Sequence, residues 1–500
     1  MTNWQFTYTL DDPYIHLALA KGVSRFHYGI NPSEFSAPSS SILWPFLMAP
    51  FAHLQGYWLA PLALNLACLM GTLVVLQRLL ASRFGVRQFS SWISASLVAF
   101  CLNIYGLVFT GMEHSLQVFL VAVIASALAQ RRLSVWLWTF LLALPLVRYE
   151  GLAISLPVLC YLAFQGRATR VKALLTGLVL AIGLVSFSAF LAGLGLGYLP
   201  SSVFAKQSAT TAGSMFGLFK AMKGGVLANA YSLPTFTVYG FGLFAGFAAW
   251  SSSRARVLLL LAAPAILHLC LGANGWFGRY EVSILLYLLI VSADLLVDQL
   301  DSRTEFLASA SLGRQFGAGR VAKASILFPL LLVFVVGTRP LWESTLLTPL
   351  AAKNIQDQQV QMAVIVSKYL HKPVAVNDLG AVALSSKQYV LDLWGLGSYE
   401  ALSLRRDPAN DPRLWIPRLM AEKDVHYAIV YDSWFRETPG NWIRVANLTL
   451  PGRRVTPASD VVSFYATSPA SAEDLAEAIA RYKSENPNKA SMVQLVWSRG

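Results

Sequence analysis

Long apolar runs fill the first two thirds of the chain, broken at short intervals by small basic or polar clusters. Runs at about 57–80, 89–109, 171–195, 231–250, 256–272, 281–298 and 324–341 have the length of a membrane-crossing helix. Those at 115–130, 133–148 and 151–165 are short for a bilayer core of ~30 Å, and they complete a pattern of ten spans. Residues 1–56 contain no such run. Their one apolar stretch, Ile42 to Phe51, is brief and rich in Pro, which suits an interfacial or re-entrant segment. Ahead of it, Tyr14, Ile15, Leu17, Ala18 and Leu19 predict a short amphipathic helix. Asp12 would be its N-cap, Pro13 its first helical residue and Gly22 its end.

From about residue 342 the pattern changes. Val374–Val376, Tyr389–Leu391, Tyr427–Tyr431 and Val461–Tyr465 read as short strands, with helical stretches near 355–370, 412–423 and 472–483. The tail after Asn486 reads as loosely ordered. The expected architecture is a polytopic α-helical membrane protein with a C-terminal soluble α/β domain. It divides into an external loop with an acidic pair (1–56), a transmembrane domain (57–341) and an extracytoplasmic α/β domain (342–500).

Composition agrees: 55% of residues are hydrophobic and 13% charged, and mean hydropathy is +0.52. The net charge of +13 does not point to nucleic acid, because the basic residues sit in short loops between spans without interleaved aromatics. Arg78, Arg83 and Arg87, then Arg131 and Arg132, then Arg167, Arg170 and Lys172, then Arg254 and Arg256, then Arg303, Arg314, Arg320 and Lys323 all fall on one side if the spans alternate. That side is cytoplasmic by the positive-inside rule. The same alternation puts residues 1–56 outside; a short polar N-terminus can be translocated, but a further span ahead of Met1 is the more economical expectation. Cys68, Cys101, Cys160 and Cys270 lie in apolar runs and read as buried thiols without a disulfide framework.

The candidate chemistry then collects on the other side. Asp11-Asp12 opens the first helix. Asp12, as a cap, would stay ionised and serve as a charge partner or hold a divalent metal. Asp11, nearer an apolar wall, would have a raised pKa and act as a general base, although two adjacent acids can also titrate as a coupled pair. Glu113-His114 begins one span, as a second acid and a phosphate donor or simply as a polar cap. Arg148 and Arg279 offer planar forks to a phosphate, or else pair with Glu150 and snorkel, respectively. Lys206 is a further phosphate contact or a solvated lysine. Glu150 is an acceptor contact or second acid. His16, His27 and His53 lack ligand spacing for zinc. Asp294 and Asp298, at the cytoplasmic end of a span, suit a structural role beside Arg303.

Four features together resemble the GT-C superfamily of integral-membrane glycosyltransferases. They are the acidic pair Asp11-Asp12 in an external loop, many spans with basic cytoplasmic loops, Arg148-Tyr149-Glu150-Gly151, and Asn377-Asp378-Leu379-Gly380-Ala381 followed by Leu391-Asp392-Leu393-Trp394-Gly395-Leu396 in an external C-terminal domain. The flavour is that of bacterial cell-envelope enzymes, including arabinofuranosyltransferases. The resemblance implies transfer of a sugar from a polyprenyl-phosphate donor to a glycan, lipid or protein acceptor outside the bacterial inner membrane, with inversion and an Asp base. Some members need a divalent metal and others none. Asp378 and Asp392 read as turn-closing residues, helped by unusual backbone angles at Gly380, Gly395 and Gly397, while Trp394, Trp415 or Trp434 would bind the acceptor. Two other readings compete: a transporter or flippase for a lipid-linked sugar, and a scaffold for envelope assembly. The first calls for inverted repeats and charges at mid-span, which the sequence lacks.

Overall fold

The computed structural model describes residues 6–206, 231–309, 332–407, 409–435 and 437–498, with scattered positions between 223 and 229. Four helical stretches are long and apolar enough to cross a bilayer: Tyr57–Ser82, Arg167–Gly193, Leu233–Leu271 and Val282–Asp301. Three shorter apolar helices, His114–Ala129, Val135–Val147 and Tyr149–Ala163, pack among them. The third long stretch is two helices folded back on each other. Tyr239 Oη lies 2.9 Å from His268 Nδ1, whereas 29 residues of straight helix would hold them about 44 Å apart. The reversal falls at Ser253, whose φ of −143° and ψ of 40° are not helical.

The expected span over 89–109 is broken instead. A helix covers Gln88–Cys101, and a second short one follows at Ile104–Val108. Between them Asn103 takes a left-handed backbone, φ 58°, which Asn tolerates better than most residues. Its side chain ties distant elements together: Nδ2 donates to Phe277 O at 2.8 Å, and Oδ1 accepts from Thr345 at 2.9 Å. Residues 324–331 of the expected span over 324–341 lie outside the described residues, as do Arg314, Arg320, Lys323 and the Arg303 side chain. Of the cysteines, Cys68 and Cys101 are buried, but Cys160 is exposed and Cys270 only partly covered, so the expectation of four buried thiols fails for those two.

Charge is sorted to the two ends of the helical bundle. At one end Arg83, Arg131 and Arg256 converge on Asp294 and Asp298, with Arg83 Nε 2.7 Å from Asp294 and Arg131 Nη2 2.7 Å from Asp298. Among the described residues these three arginines are the partners; the Arg303 side chain, to which the sequence pointed, lies outside them. Arg279 and Glu281 stand at the other end of the same helix. From Val282 to Asp298 the rise is about 24 Å, close to an apolar bilayer core.

The C-terminal region carries a six-stranded sheet of order β2-β1-β3-β5-β4-β6. The strands are β1 Val374–Val376, β2 Val390–Asp392, β3 Tyr427–Val430, β4 Ile443–Thr449, β5 Val461–Ala466 and β6 Val493–Leu495. The first three in chain order are parallel and fully buried, and they are apolar apart from Asp392 at the end of β2, as parallel strands covered on both faces tend to be. Helix Pro469–Glu485 covers one face with Leu475, Ile479 and Tyr482. Helix Pro412–Glu422 covers the other with Ile416, Leu419 and Met420. Trp415, expected at an acceptor site, sits in this second core and is 3% exposed. Residues 487–498 of the tail are ordered, contrary to expectation. They form a short helical turn and then β6, whose Val493 is buried against β4.

The N-terminal segment belongs physically to this sheet. Ile15 enters the core beneath it. The Asn31 amide pairs with both backbone groups of Val390, at 2.9 and 3.0 Å, and so covers the open edge at β2. Asp392 at the end of β2 is fully buried and accepts the N–H groups of Trp394 and Gly397, both at 2.8 Å. It closes the turn as expected, beside Gly395 at φ 90°. Burial pushes its carboxyl from 3.8 up to about 6, with the turn's N–H groups opposing the rise. A carboxyl raised by folding stabilises most when it is protonated in both states. The contribution is therefore full below about pH 4 and is lost as pH rises through about 6. Thermal unfolding midpoints of wild type are expected to carry this fall between pH 4 and 6. Asp392→Asn should lessen it; an unchanged pH profile would remove Asp392 as its source.

Candidate active site

The chain enters the site on a tightly pinned loop. Thr9 N donates to Phe109 O at 3.0 Å, and the Tyr8 hydroxyl accepts from Leu62 N. Asp11 O accepts the N–H of Tyr14 at 3.1 Å, so the helix runs Asp12–Val23 with Asp11 at the capping position. This moves the cap one residue from the Asp12 expected. The Asp11 side chain does not cap its own helix. It turns to the C-terminal region and accepts the backbone N–H groups of Gly380 and Ala381, the second at 2.8 Å. Asp12, freed from capping, bonds to Arg279 Nη1 at 2.9 Å.

Gly380 has an ordinary φ, so its use here is space rather than an unusual angle. A β-carbon there would collide with the Asp11 carbonyl and carboxylate. Gly380→Ala is therefore expected to push the two regions apart and cost about 1–3 kcal/mol. Chemical unfolding of the purified protein measures this, and a neutral effect would mean that the contact gives way easily.

Asp378 follows β1 and faces Asp11. It accepts from Gln359 Nε2 at 2.8 Å and from the Tyr431 hydroxyl at 3.2 Å. Burial holds both above the ordinary carboxylate range; repulsion from Asp378 adds to the rise at Asp11, and repulsion from Asp12 adds to it at Asp378. Facing carboxyls of this kind titrate as a pair.

The basic side comes from the helical bundle. Arg148 ends helix Val135–Val147 in an extended conformation. Nη1 donates to Glu113 at 2.6 Å and Nη2 to Glu150 at 2.7 Å, while the guanidinium lies 5.3 Å from the Tyr280 ring. Arg279 bonds the Tyr280 hydroxyl at 2.8 Å and stacks on that ring at 4.8 Å, so it is held in the wall and does not snorkel. Glu113 and His114 are fully buried behind the wall, with His114 edge-on to Tyr280 and His16 3.9 Å from Glu113. Lys206 ends the helix Ser201–Lys206, and its side chain lies outside the described residues.

Asp11, Asp12, Arg148, Glu150, Arg279 and Asp378 line one cavity of about 490 Å³. Its roof is the carboxyl end of the parallel strands: Asn377-Asp378 after β1, Trp394 after β2 and Trp434 after β3. The Trp394 and Trp434 rings are 4.7 Å apart. Trp276 enters from the bundle side on a turn in which Gly275, Trp276, Phe277 and Gly278 all have left-handed φ values between 49° and 85°. Such backbone costs roughly 1–2 kcal/mol per residue other than glycine, and strain of this kind concentrates where a side chain has to be presented.

Asp378, Gln359, Tyr280 and Trp276 are among the wall residues that the sequence did not assign to the site. One signal for Asp378 was present. Ligands of open parallel sheets bind outside the carboxyl ends of the strands, where Asn377-Asp378 falls. On the described wall the carboxylates outnumber the guanidiniums, and both guanidiniums already bond acids. Among the described residues no group of three or more His, Cys, Asp or Glu is arranged to hold a metal ion. Asp12 bonds Arg279 and Asp11 bonds backbone N–H groups, so neither carboxylate fits a metal site as placed.

Residues 353–465 match a family described only as a domain of unknown function, DUF8728. No curated protein matches the chain. Among solved structures, a single-particle cryo-EM structure of the arabinofuranosyltransferase AftD from Mycobacteria is similar over 91% of this chain, at 13% identity and a TM-score of 0.40. The alignment covers 41% of that protein, so the chain spans about two fifths of its length.

Proposed function

We propose that the cavity transfers a sugar from a polyprenyl-phosphate donor to a glycan, lipid or protein acceptor of the cell envelope. The reaction would take place on the extracytoplasmic face of a bacterial inner membrane, in a single inverting displacement. One observation carries this reading. Carboxylates from the N-terminal helix and the sheet meet two arginines from the helical bundle around one cavity at the bundle's end. That convergence favours an enzyme over a scaffold, which has no use for it.

The Asp11–Asp378 dyad takes the proton of the acceptor hydroxyl, a task suited to carboxyls held above their ordinary range. The acceptor oxygen bonds to the anomeric carbon as the bond from that carbon to the phosphate oxygen breaks. The electron pair leaves with the polyprenyl phosphate, and Arg148 and Arg279 stabilise the charge gained. The phosphate reaches Arg148 by replacing Glu150, the more exposed of its two acids, at 21% against 0% for Glu113. Asp12 orients Arg279. A divalent metal enters no step.

Tryptophan fluorescence tests the donor site directly, because Trp276, Trp394 and Trp434 line the cavity. A polyprenyl phosphate lacking a sugar is expected to quench it saturably, and Arg279→Ala to weaken that binding. Absence of quenching would count against a lipid-phosphate donor. Trp394 and Trp434 form the face for the acceptor. Trp434→Ala is expected to raise the acceptor KM with little change in kcat, and an unchanged KM removes it from that role.

A further inference from the structure

A second cleft lies at the opposite end of the bundle, beside the Asp294–Asp298 cluster. It has a volume of about 910 Å³ and is formed by helices Ala60–Ser82, His114–Ala129 and Val135–Val147, with the start of Gln88–Cys101. Its walls divide by chemistry. Val75, Val123, Ala127 and Phe140 make an apolar floor between the helices, whereas Arg78 and Arg132 stand at its basic end. Trp136, 61% exposed and 5.9 Å from Phe140 between ring centroids, flanks it.

The arginines around this end fall into two groups. Arg83, Arg131 and Arg256 pair with Asp294 and Asp298, and Arg83 with Asp301 as well. Arg78 and Arg132 have no carboxylate partner among the described residues, and Arg132 also borders an adjoining cavity of about 410 Å³. Two guanidiniums without a carboxylate partner among the described residues, above an apolar cleft and at the opposite end of the bundle from Arg279 and Glu281, fit a ligand that is anionic at its head and apolar below. A free anion would leave the floor without a partner.

We propose that this cleft binds one anionic phospholipid. Its phosphate lies between Arg78 and Arg132, and an acyl chain lies along Val75, Val123 and Phe140. The site is independent of the reaction at the other end, so its failure would leave the transferase reading untouched.

The test is native mass spectrometry of the full-length protein, stripped of lipid in detergent and titrated with phosphatidylglycerol or phosphatidylcholine of the same acyl chains. Wild type is expected to hold one phosphatidylglycerol in preference to phosphatidylcholine. Arg78→Gln with Arg132→Gln should lower that affinity about tenfold or more and leave the phosphatidylcholine affinity unchanged. Arg78→Lys with Arg132→Lys should keep most of the preference, which separates lost charge from a lost fold. Val123→Trp should fill the floor and weaken lipid binding with both arginines intact. Equal binding of the two lipids by wild type overturns the proposal. So does an unchanged phosphatidylglycerol affinity in either the Gln pair or Val123→Trp.

Discussion

Arg148→Ala is expected to destabilise the folded protein by about 3–5 kcal/mol, the cost of leaving a buried charge without its partner. Glu113 is fully buried and its Oε1 is 2.6 Å from the Arg148 guanidinium; the nearest other cation is His16, at 3.9 Å and charged only when protonated. Truncation strands that carboxylate and also takes the cation from the face of Tyr280. Thermal and denaturant unfolding in detergent would report the loss. Arg148→Met combined with Glu113→Leu removes both charges together, and much of the stability should return because no charge is left buried alone. Transfer should not return, since Arg148 is also the phosphate contact. A single variant as stable as wild type would mean that the pair is open to water, contrary to its burial.

The second large effect is on rate. Asp378→Asn and Asp11→Asn are each expected to lower transfer by about 10²–10⁴, the usual contribution of a positioned base. Asp12→Asn should do less damage, because an amide oxygen can still accept the bond from Arg279. The dyad also sets a pH dependence. A base works unprotonated, so kcat/KM should rise with pH through a point above the ordinary carboxylate range and level off beyond it. In Asp378→Asn that limb should move toward the ordinary range, because the repulsion raising Asp11 is gone. Transfer rates measured across pH on matched amounts of protein decide this. If Asp12→Asn were the most damaging of the three, the base would be Asp12 and the dyad a structural clip.

How much of this was written in the sequence depends on how local each feature is. The membrane helices follow from runs of apolar residues, and strands β1, β2, β3 and β5 from short β-branched or aromatic runs, all local signals. The charge sorting was legible for the same reason: Arg83, Arg131 and Arg256 each sit in a short loop or at a helix end. Their meeting at Asp294 and Asp298 was not, because it depends on how the helices pack. Strands β4 and β6 escaped the reading. Ile443–Thr449 carries Arg444 and Asn447 among its apolar residues, and Val493–Leu495 is a strand only because β4 offers it an edge. The break at Asn103 stood in an apolar run that otherwise reads as one span.

The site divides in the same way. Asp11, Asp12, Arg148, Glu150 and Arg279 stand out as charges among apolar runs, and all five reach the cavity wall. Glu113 and His114 carried the same signal but are buried behind it, since charge at a helix end does not reveal which way that end faces. Asp378 was read as a turn because its partner is far away in the chain. The contact that brings the two together joins Gly380 to Asp11, 369 residues apart.

The central claim is that this cavity consumes a lipid-phosphate sugar, and its most direct test compares cells carrying wild type, Asp11→Asn or Asp378→Asn at equal expression. Membrane lipids and envelope glycans would be extracted from each and analysed by mass spectrometry. The account predicts that one polyprenyl-phosphate sugar accumulates in both variants while the same sugar disappears from an envelope glycan, lipid or protein. Lipid and glycan profiles identical to wild type in both variants, with the protein present and folded, would contradict it and leave the acidic dyad as a clip between the N-terminal helix and the sheet.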